Sequence, residues 1–504
     1  MRAVRPTSPK DQSSSSVDHF RPGNKRPELH PLEKWTLGLV TLHLVFLPWA
    51  LGTMHLWSQG VSLALALAGF VAAASPRTYT EAQTSGLPVR VRPWQRLWRF
   101  PLFWLGLALL GYIGVQGANP AWVYRSNASY WWIESVANLA WLPGGMEVPF
   151  AIAGPWRSLL VFASLWLTVC SVWIGFMRRL TFRLLFTFLF ANGCLLAVLG
   201  LAQQITHATG IFWLIKVSSQ SFVATFIYRN HAGAYLNLML ALATGLAWWS
   251  YSRSNRRFEK SSPAGVFVFG GVLIGTMVLF TLSRGAALTM LGFIVLAGLA
   301  FVWNQFRQPN HLRNPIVIAV LLVLMTGFVG TGLYSLKVEN VWKRFQGMMV
   351  DPVASARDRT EAHAAAAEML AERPVLGWGA GCFRFGFPQY LYRHPSIYYA
   401  GRDQRKLWEH AHNDLLQFPI EFGLAGSALL LAGVGWLLWQ LVVQRFWNNP
   451  LALPALLGTG MTVVHAWADF VFQNPAILLT WVVVLLAAGR WAELDQQPAL
   501  RDPR

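Results

Sequence analysis

Apolar residues in this chain fall in long, nearly unbroken runs, with polar residues gathered between them. Each run is about 20 residues, the length an α-helix needs to cross a bilayer. None shows the apolar–polar alternation of a membrane barrel. Lipid offers no partner to a free backbone N–H or C=O, so each run predicts a spanning helix. About twelve are predicted, over roughly 35–53, 58–75, 100–117, 157–177, 181–202, 231–251, 264–282, 286–303, 315–334, 414–440, 452–470 and 475–490. The expected fold is all-α, a polytopic integral membrane protein. Its parts are a polar tail (1–34), nine spans (35–334), a large outer loop (335–413), three further spans (414–490) and a second tail (491–504). Within the loop, the Ala-rich "ASARDRTEAHAAAAEMLAE" predicts a helix over 355–372, ended by Pro374 and the glycines at 377, 379 and 381.

Composition agrees with a membrane class. Hydrophobic residues make up 54% and charged residues 12%, against about 25% charged in soluble domains. Mean hydropathy is +0.39. A net charge of +19 would suggest nucleic acid in a soluble protein. Here the basic residues lie in short segments such as "MRRLTFR" and "RSNRRFEK", as cytoplasmic loops do, so no nucleic-acid partner is expected. The alternate turns "GTMHLWSQG" and "DFVFQN" have no Lys or Arg. This pattern puts both termini in the cytoplasm and the longer segments 118–156, 203–230 and 335–413 outside. The first tail, Ser- and Pro-rich without a hydrophobic core, reads as disordered rather than as a signal peptide. Three cysteines with no CxxC spacing give no disulfide framework.

One stretch joins polar and apolar textures: "EHAHNDLLQFPIEFGLAG". Asp414 and Gln417 have the spacing of a capping box, with Asp414 as the cap. His412 and Asn413 then perch at the outer N-terminus of a span, where a helix favours anions and a neutral imidazole suits a general base. Caps and interface anchors explain such residues equally simply. Glu421, nearly two turns into the span, is either functional or paired with a neighbouring helix. His410, His412 and Glu409 also resemble part of a metal site, but HxH alone is weak, and no metal or cofactor is expected. Arg284, in "LFTLSRGAALTML", sits in a short outer turn, either snorkelling or facing a partner. Arg357 and Arg359 open the loop helix, where cations oppose the helix dipole unless an anion is near. Two guanidiniums that hold phosphate oxygens, and a histidine that takes a hydroxyl proton, suit transfer from a phosphorylated donor to an alcohol. Outside the membrane such a donor is a lipid diphosphate.

Four blocks carry a family resemblance: "FIYRNHAGAYLNLML", "LFTLSRGAALTMLGFIV", "RTEAHAAAAEMLAERPVLGWGAGCF" and "HAHNDLLQFPIEFGLAG". In order and spacing, over about residues 220–430, they resemble the O-antigen ligase and polymerase superfamily of bacterial inner-membrane glycosyltransferases. The resemblance implies about twelve helices, with loop 335–413 in the periplasm. It implies a glycan donor on undecaprenyl diphosphate and an acceptor sugar hydroxyl, on lipid A–core for a ligase or on another lipid-linked glycan for a polymerase. By motif, Arg284 and Arg359 would bind the donor diphosphate and His412 would activate the acceptor, without metal and with inversion. Arg357 competes with Arg359 for that role, and His410 with His412. Arg229 and His231 either line the site or only anchor the interface, and Asn413 and Glu421 are further candidates for its lining. Transfer to protein hydroxyls is a further variant. A transporter or flippase would place its charges near the bilayer midplane, which this outer cluster disfavours.

Overall fold

The computed structural model describes residues 29–79, 89–217, 222–258, 261–308, 354–398 and 407–496, with the backbone alone for Val89 and for residues 354–358. The predicted span at 315–334 lies outside the described residues, as do most of the first tail and the end of the second. The main helices are α1 (Pro31–Trp49), α2 (Leu56–Ala74), α3 (Pro101–Ala118), α4 (Pro155–Gly175), α5 (Arg179–Ile205), α6 (Arg229–Arg257), α7 (Ala264–Phe280), α8 (Arg284–Arg307), α9 (Ala354–Glu372), α10 (Asp414–Val443), α11 (Ala452–Ala468) and α12 (Pro475–Gln496). Helix α9 is the predicted loop helix. Eight of the others are long and apolar enough to cross a membrane, and α7 and α11 are shorter apolar helices. The chain is a helical, polytopic membrane protein.

Two boundaries move. Helix α1 begins at Pro31, inside the predicted tail, because His30 caps it by accepting from Leu32 N at 3.1 Å. Glu33 is then fully buried and accepts from Tyr79 Oη, Thr181 Oγ1, Met177 N and Arg178 N. Helix α12 runs to Gln496, beyond the predicted end at 490, and Arg490 pairs with Glu493.

Helix α6 is central and packs on α5, α7, α8 and α11. Lipid is as apolar as leucine, so such contacts depend on close fit rather than on water exclusion. Gly233 of α6 lies against Ala286 of α8, and Gly458 of α11 against Ala241 of α6; an added Cβ would stand 2.4 Å and 2.2 Å from these neighbours.

Small sheets are an addition that the helical pattern did not predict. Strands β1 (Arg77–Tyr79) and β2 (Val89–Val91) pair antiparallel. In segment 118–156, β3 (Pro120–Ser126) pairs antiparallel with β4 (Trp131–Ser135) and parallel with β5 (Gly145–Glu147). Aromatic side chains of this segment pack the sheet onto the loop after α9: Trp122 stacks on Trp378, and Tyr124 and Trp131 meet Phe385.

Helix α10 is interrupted, at Gly423 rather than Pro419. Gly423 has φ 64° and ψ −179°, and the loop after α9 docks into the opening. Leu424 N and Ala425 N donate to the carbonyls of Pro374 and Val375, while Trp378 N and Gly379 N donate to those of Ile420 and Glu421. Tyr112 Oη and Gln116 Nε2 satisfy the freed carbonyls of Phe422 and Glu421. Two of the sequence blocks, "RPVLGWGAG" and "EFGLAG", are therefore one interlocked unit. A Cβ at Gly423 would lie 2.2 Å from Val375 O, on a backbone that L-residues rarely adopt. Gly423→Ala is expected to destabilise the protein by about 3 kcal/mol or more, read as a lowered unfolding temperature in detergent. An unchanged temperature would mean that the loop docks without this close contact.

Candidate active site

The N-terminal ends of α6, α8, α10 and α12, the C-terminal end of α11 and the helix α9 meet at one end of the bundle. The turn between α11 and α12, Asp469–Asn474, holds them together. Asp414 fixes this turn. Its fully buried carboxylate accepts from Phe472 N at 2.7 Å and Gln473 Nε2 at 3.2 Å, and its own N–H donates to Asp469 O. This corrects the expected cap. Asn413 is the N-cap, accepting from Leu416 N at 3.3 Å, and Asp414 is the first helical residue. Its neighbour's position left the Asp414 side chain free to reach across to the turn. Gln417 does reach back, but to Ala411 N, through Oε1 at 3.0 Å.

His412 stands in the left-handed region at φ 51°, a conformation histidine adopts more readily than most residues. Its Nδ1 lies 3.3 Å from Asp469 Oδ1, with the His side chain 25% exposed and the Asp only 2%. A carboxylate accepts, so Nδ1 carries the proton and Nε2 keeps the lone pair that a base needs. Asp469 also accepts from Tyr228 Oη, Asn230 Nδ2 and Phe470 N. Burial alone would raise its carboxyl, but the hydrogen bond and charge of His412 outweigh it and hold the group well below the usual range. Burial raises the Tyr228 phenol, which therefore stays a hydrogen-bond donor.

Phe470 is the centre of a ring cluster. Tyr228 and His410 stack on it at 5.1 and 4.4 Å, and His231 and His412 meet it edge-on at 5.0 and 4.8 Å. His231 is buried and its Nε2 lies 3.1 Å from Phe470 O, which makes it a strut of the turn. Arg359, from the first turns of α9, donates to Ala468 O at 3.2 Å, directly beside Asp469. His363, one turn further on, places Nε2 3.4 Å from His412 O, and burial lowers its pKa. Arg284 is the first residue of α8, after the Ser283 cap, and is exposed. Its neighbour Gly285 lies against the His465 ring, one turn before Asp469. Arg229 is exposed beside Tyr228. The Arg357 side chain lies outside the described residues.

His410 joins this group through the Phe470 stack, and Glu421 lies further along α10. Neither approaches Asp469 or Arg359 through a hydrogen bond among the described residues. His410 pairs with Gln417 at 3.3 Å, and burial pushes it down to about 3, so it stays neutral. Glu421 is buried and accepts from Gly381 N at 2.9 Å and Gln417 Nε2 at 3.0 Å. No cluster of three or more metal-ligating side chains occurs among the described residues.

Asp469 was missed in the sequence, where "DFVFQN" served only as a turn lacking basic residues. An acid in a short turn between two apolar spans was the available signal.

A comparison with curated proteins finds no match. Residues 269–431 match the family model described as O-antigen ligase. That stretch contains Arg284, Arg359, His410, His412 and the interlocked glycine blocks, and it ends before Asp469. Over that stretch the chain is similar to the O-antigen ligase family.

Proposed function

We propose that this protein is an inverting glycosyltransferase of the O-antigen ligase type. It moves a glycan from undecaprenyl diphosphate to an acceptor hydroxyl, such as one on lipid A–core, on the periplasmic face of the inner membrane. The observation that carries this reading is the His412–Asp469 pair beside Arg359, at the bundle end opposite buried Arg77, Arg178 and Arg490. The short basic connections at that opposite end, such as the one between α4 and α5, are of the kind that collects on the cytoplasmic side, which supports an outward site.

In the proposed step, His412 Nε2 takes the proton of the acceptor hydroxyl. The oxygen attacks the anomeric carbon and the bond to the diphosphate breaks, with the electron pair leaving on the lipid diphosphate. One displacement inverts the anomeric centre. Asp469 holds the imidazole's tautomer and stabilises the imidazolium that forms. Arg359 and Arg284 face the leaving diphosphate, and two guanidiniums can balance its charge without a metal. Transfer by the purified protein is expected to survive EDTA. Loss of activity restored by added divalent cation would contradict this part of the proposal.

The blocks shared with polymerases keep a second reading open: extension of the lipid-linked glycan itself. Purified protein supplied with the lipid-diphosphate glycan, with and without lipid A–core, tests both. Product on lipid A–core supports the ligase, and longer glycans formed from donor alone support the polymerase. Absence of either product, from protein shown to be folded, would reject the transferase reading.

A further inference from the structure

At the bundle end opposite the candidate active site, the chain enters α3 through residues 90–99, "RVRPWQRLWR". Strand β2 ends within this stretch, and the short helix Pro93–Trp98 follows. Two periodicities sort its side chains. Along an extended strand, alternate residues share a face. Val91 is buried, and Arg90 and Arg92 on either side of it are exposed. Along a helix, residues four apart share a face. Pro93 and Leu97 are buried, whereas Trp94 and Trp98, and Gln95 and Arg99, are exposed. The outward surface is therefore Arg90, Arg92, Trp94, Gln95, Trp98 and Arg99. Arg96 is half-buried and turns inward, against Met177 in the connection between α4 and α5.

The acids described at this end of the bundle are already engaged. Glu33 accepts from Tyr79 and Thr181, Glu493 pairs with Arg490, and Asp495 pairs with Arg179. Among the described residues, none of the ion pairs includes Arg90, Arg92 or Arg99.

The tryptophans set the depth of this surface. Helix α3 begins at Pro101 and is long and apolar enough to cross a membrane. Trp104, in its first turn, donates through Nε1 to Trp98 O at 3.1 Å, and the two rings are 5.1 Å apart. Trp94, Trp98 and Trp104 are 50%, 54% and 48% exposed. Tryptophan favours the headgroup level, with its ring against apolar chains and its N–H toward polar groups. The patch thus lies where a span meets the bilayer surface, and its three guanidiniums stand at the depth of the lipid phosphates.

We infer that this patch binds an anionic phospholipid, with Arg90, Arg92 and Arg99 on the headgroup phosphate and the tryptophan rings against the upper acyl chain. Charge decides between lipid classes. The ammonium of phosphatidylcholine offsets its own phosphate, whereas phosphatidylglycerol leaves that charge for the arginines, which hold phosphate oxygens bidentately. The inference does not rest on the transferase reading, because the patch is at the other end of the bundle.

The test titrates purified protein in neutral detergent with dioleoyl phosphatidylglycerol and, separately, dioleoyl phosphatidylcholine. Bound lipid is counted by native mass spectrometry, and hydrogen exchange is followed over residues 90–99. A basic residue at a lipid surface is worth roughly fivefold in affinity, so phosphatidylglycerol should bind about tenfold or more tighter at low salt. The preference should disappear near about 1 M salt. The triple variant Arg90→Gln, Arg92→Gln, Arg99→Gln should abolish it, and Arg90→Lys, Arg92→Lys, Arg99→Lys should keep most of it. Trp94→Ala with Trp98→Ala should weaken both lipids alike. Arg256→Gln with Arg257→Gln, exposed at the end of α6 on the same side of the bundle, should leave the preference in place. Slower exchange over 90–99 with phosphatidylglycerol alone would place the lipid on the patch. The inference is overturned if the two lipids bind equally, or if the folded triple glutamine variant retains the preference. It is also overturned if both sets of glutamine substitutions lower the preference equally, which would mark an effect of net charge alone. Free glycerol phosphate that competed as well as the lipid would replace a membrane-surface site with a simple phosphate site.

Discussion

His412→Ala is expected to lower glycan transfer by about 10²–10⁴-fold, the range associated with a positioned general base. The protein should stay folded. The imidazole is a quarter exposed and its ring hydrogen bond among the described residues is to Asp469, while its ring contacts with Trp408 and Phe470 are edge-on. Truncation leaves a small, solvent-reachable gap rather than a core cavity. His410→Ala distinguishes this role from its neighbour's. That ring stacks on Phe470 and bonds Gln417, so its loss should loosen the turn and weaken acceptor binding more than it slows the chemical step. Steady-state transfer with a lipid-diphosphate glycan separates the two. A large fall in kcat for His412→Ala with donor KM retained fits the base. An equal or larger fall in kcat for His410→Ala, with His412→Ala near wild type, would exchange the roles.

Much of the helical frame was legible because lipid imposes a simple rule on the chain: long apolar runs must be helices. Eleven of the twelve predicted runs fall in described residues, and each contains a helix. The loop helix was legible from alanine content, without tertiary information. What local pattern did not carry was anything made between distant segments. The break at Gly423 depends on a loop nearly fifty residues earlier in the chain. Asp414 looked like a cap because its spacing to Gln417 is right, yet its carboxylate is used by the 472–473 backbone and side chain. The β3–β5 sheet arises from short aromatic segments that also suit a membrane interface. Three of the proposed site residues stood out because cations and histidines are conspicuous at the edge of apolar runs. Asp469 did not stand out, since one acid in a turn has no pattern of its own, and only the fold brings it to His412.

Asp469→Asn is expected to reduce kcat by about 10²–10⁴-fold with little change in donor or acceptor binding. The amide is nearly the same size and can still accept from Tyr228 and Phe470. At His412, however, it can offer N–H to Nδ1 and so favour the tautomer in which Nε2 carries the proton and cannot act as base. It also removes the charge that stabilises the imidazolium formed during transfer. The same residue gives a stability signature. Its carboxyl is held below the ordinary value, so its contribution is fully present above the unfolded value of about 3.9. That contribution is lost as pH falls toward the native value. The wild type should therefore be more stable than Asp469→Asn by about 1–3 kcal/mol at neutral pH, and the two unfolding curves should converge as the pH is lowered from about 4. Parallel curves down to the acid limit, or full activity in the variant, would show that Asp469 is a neutral strut of the turn rather than the charged partner of His412.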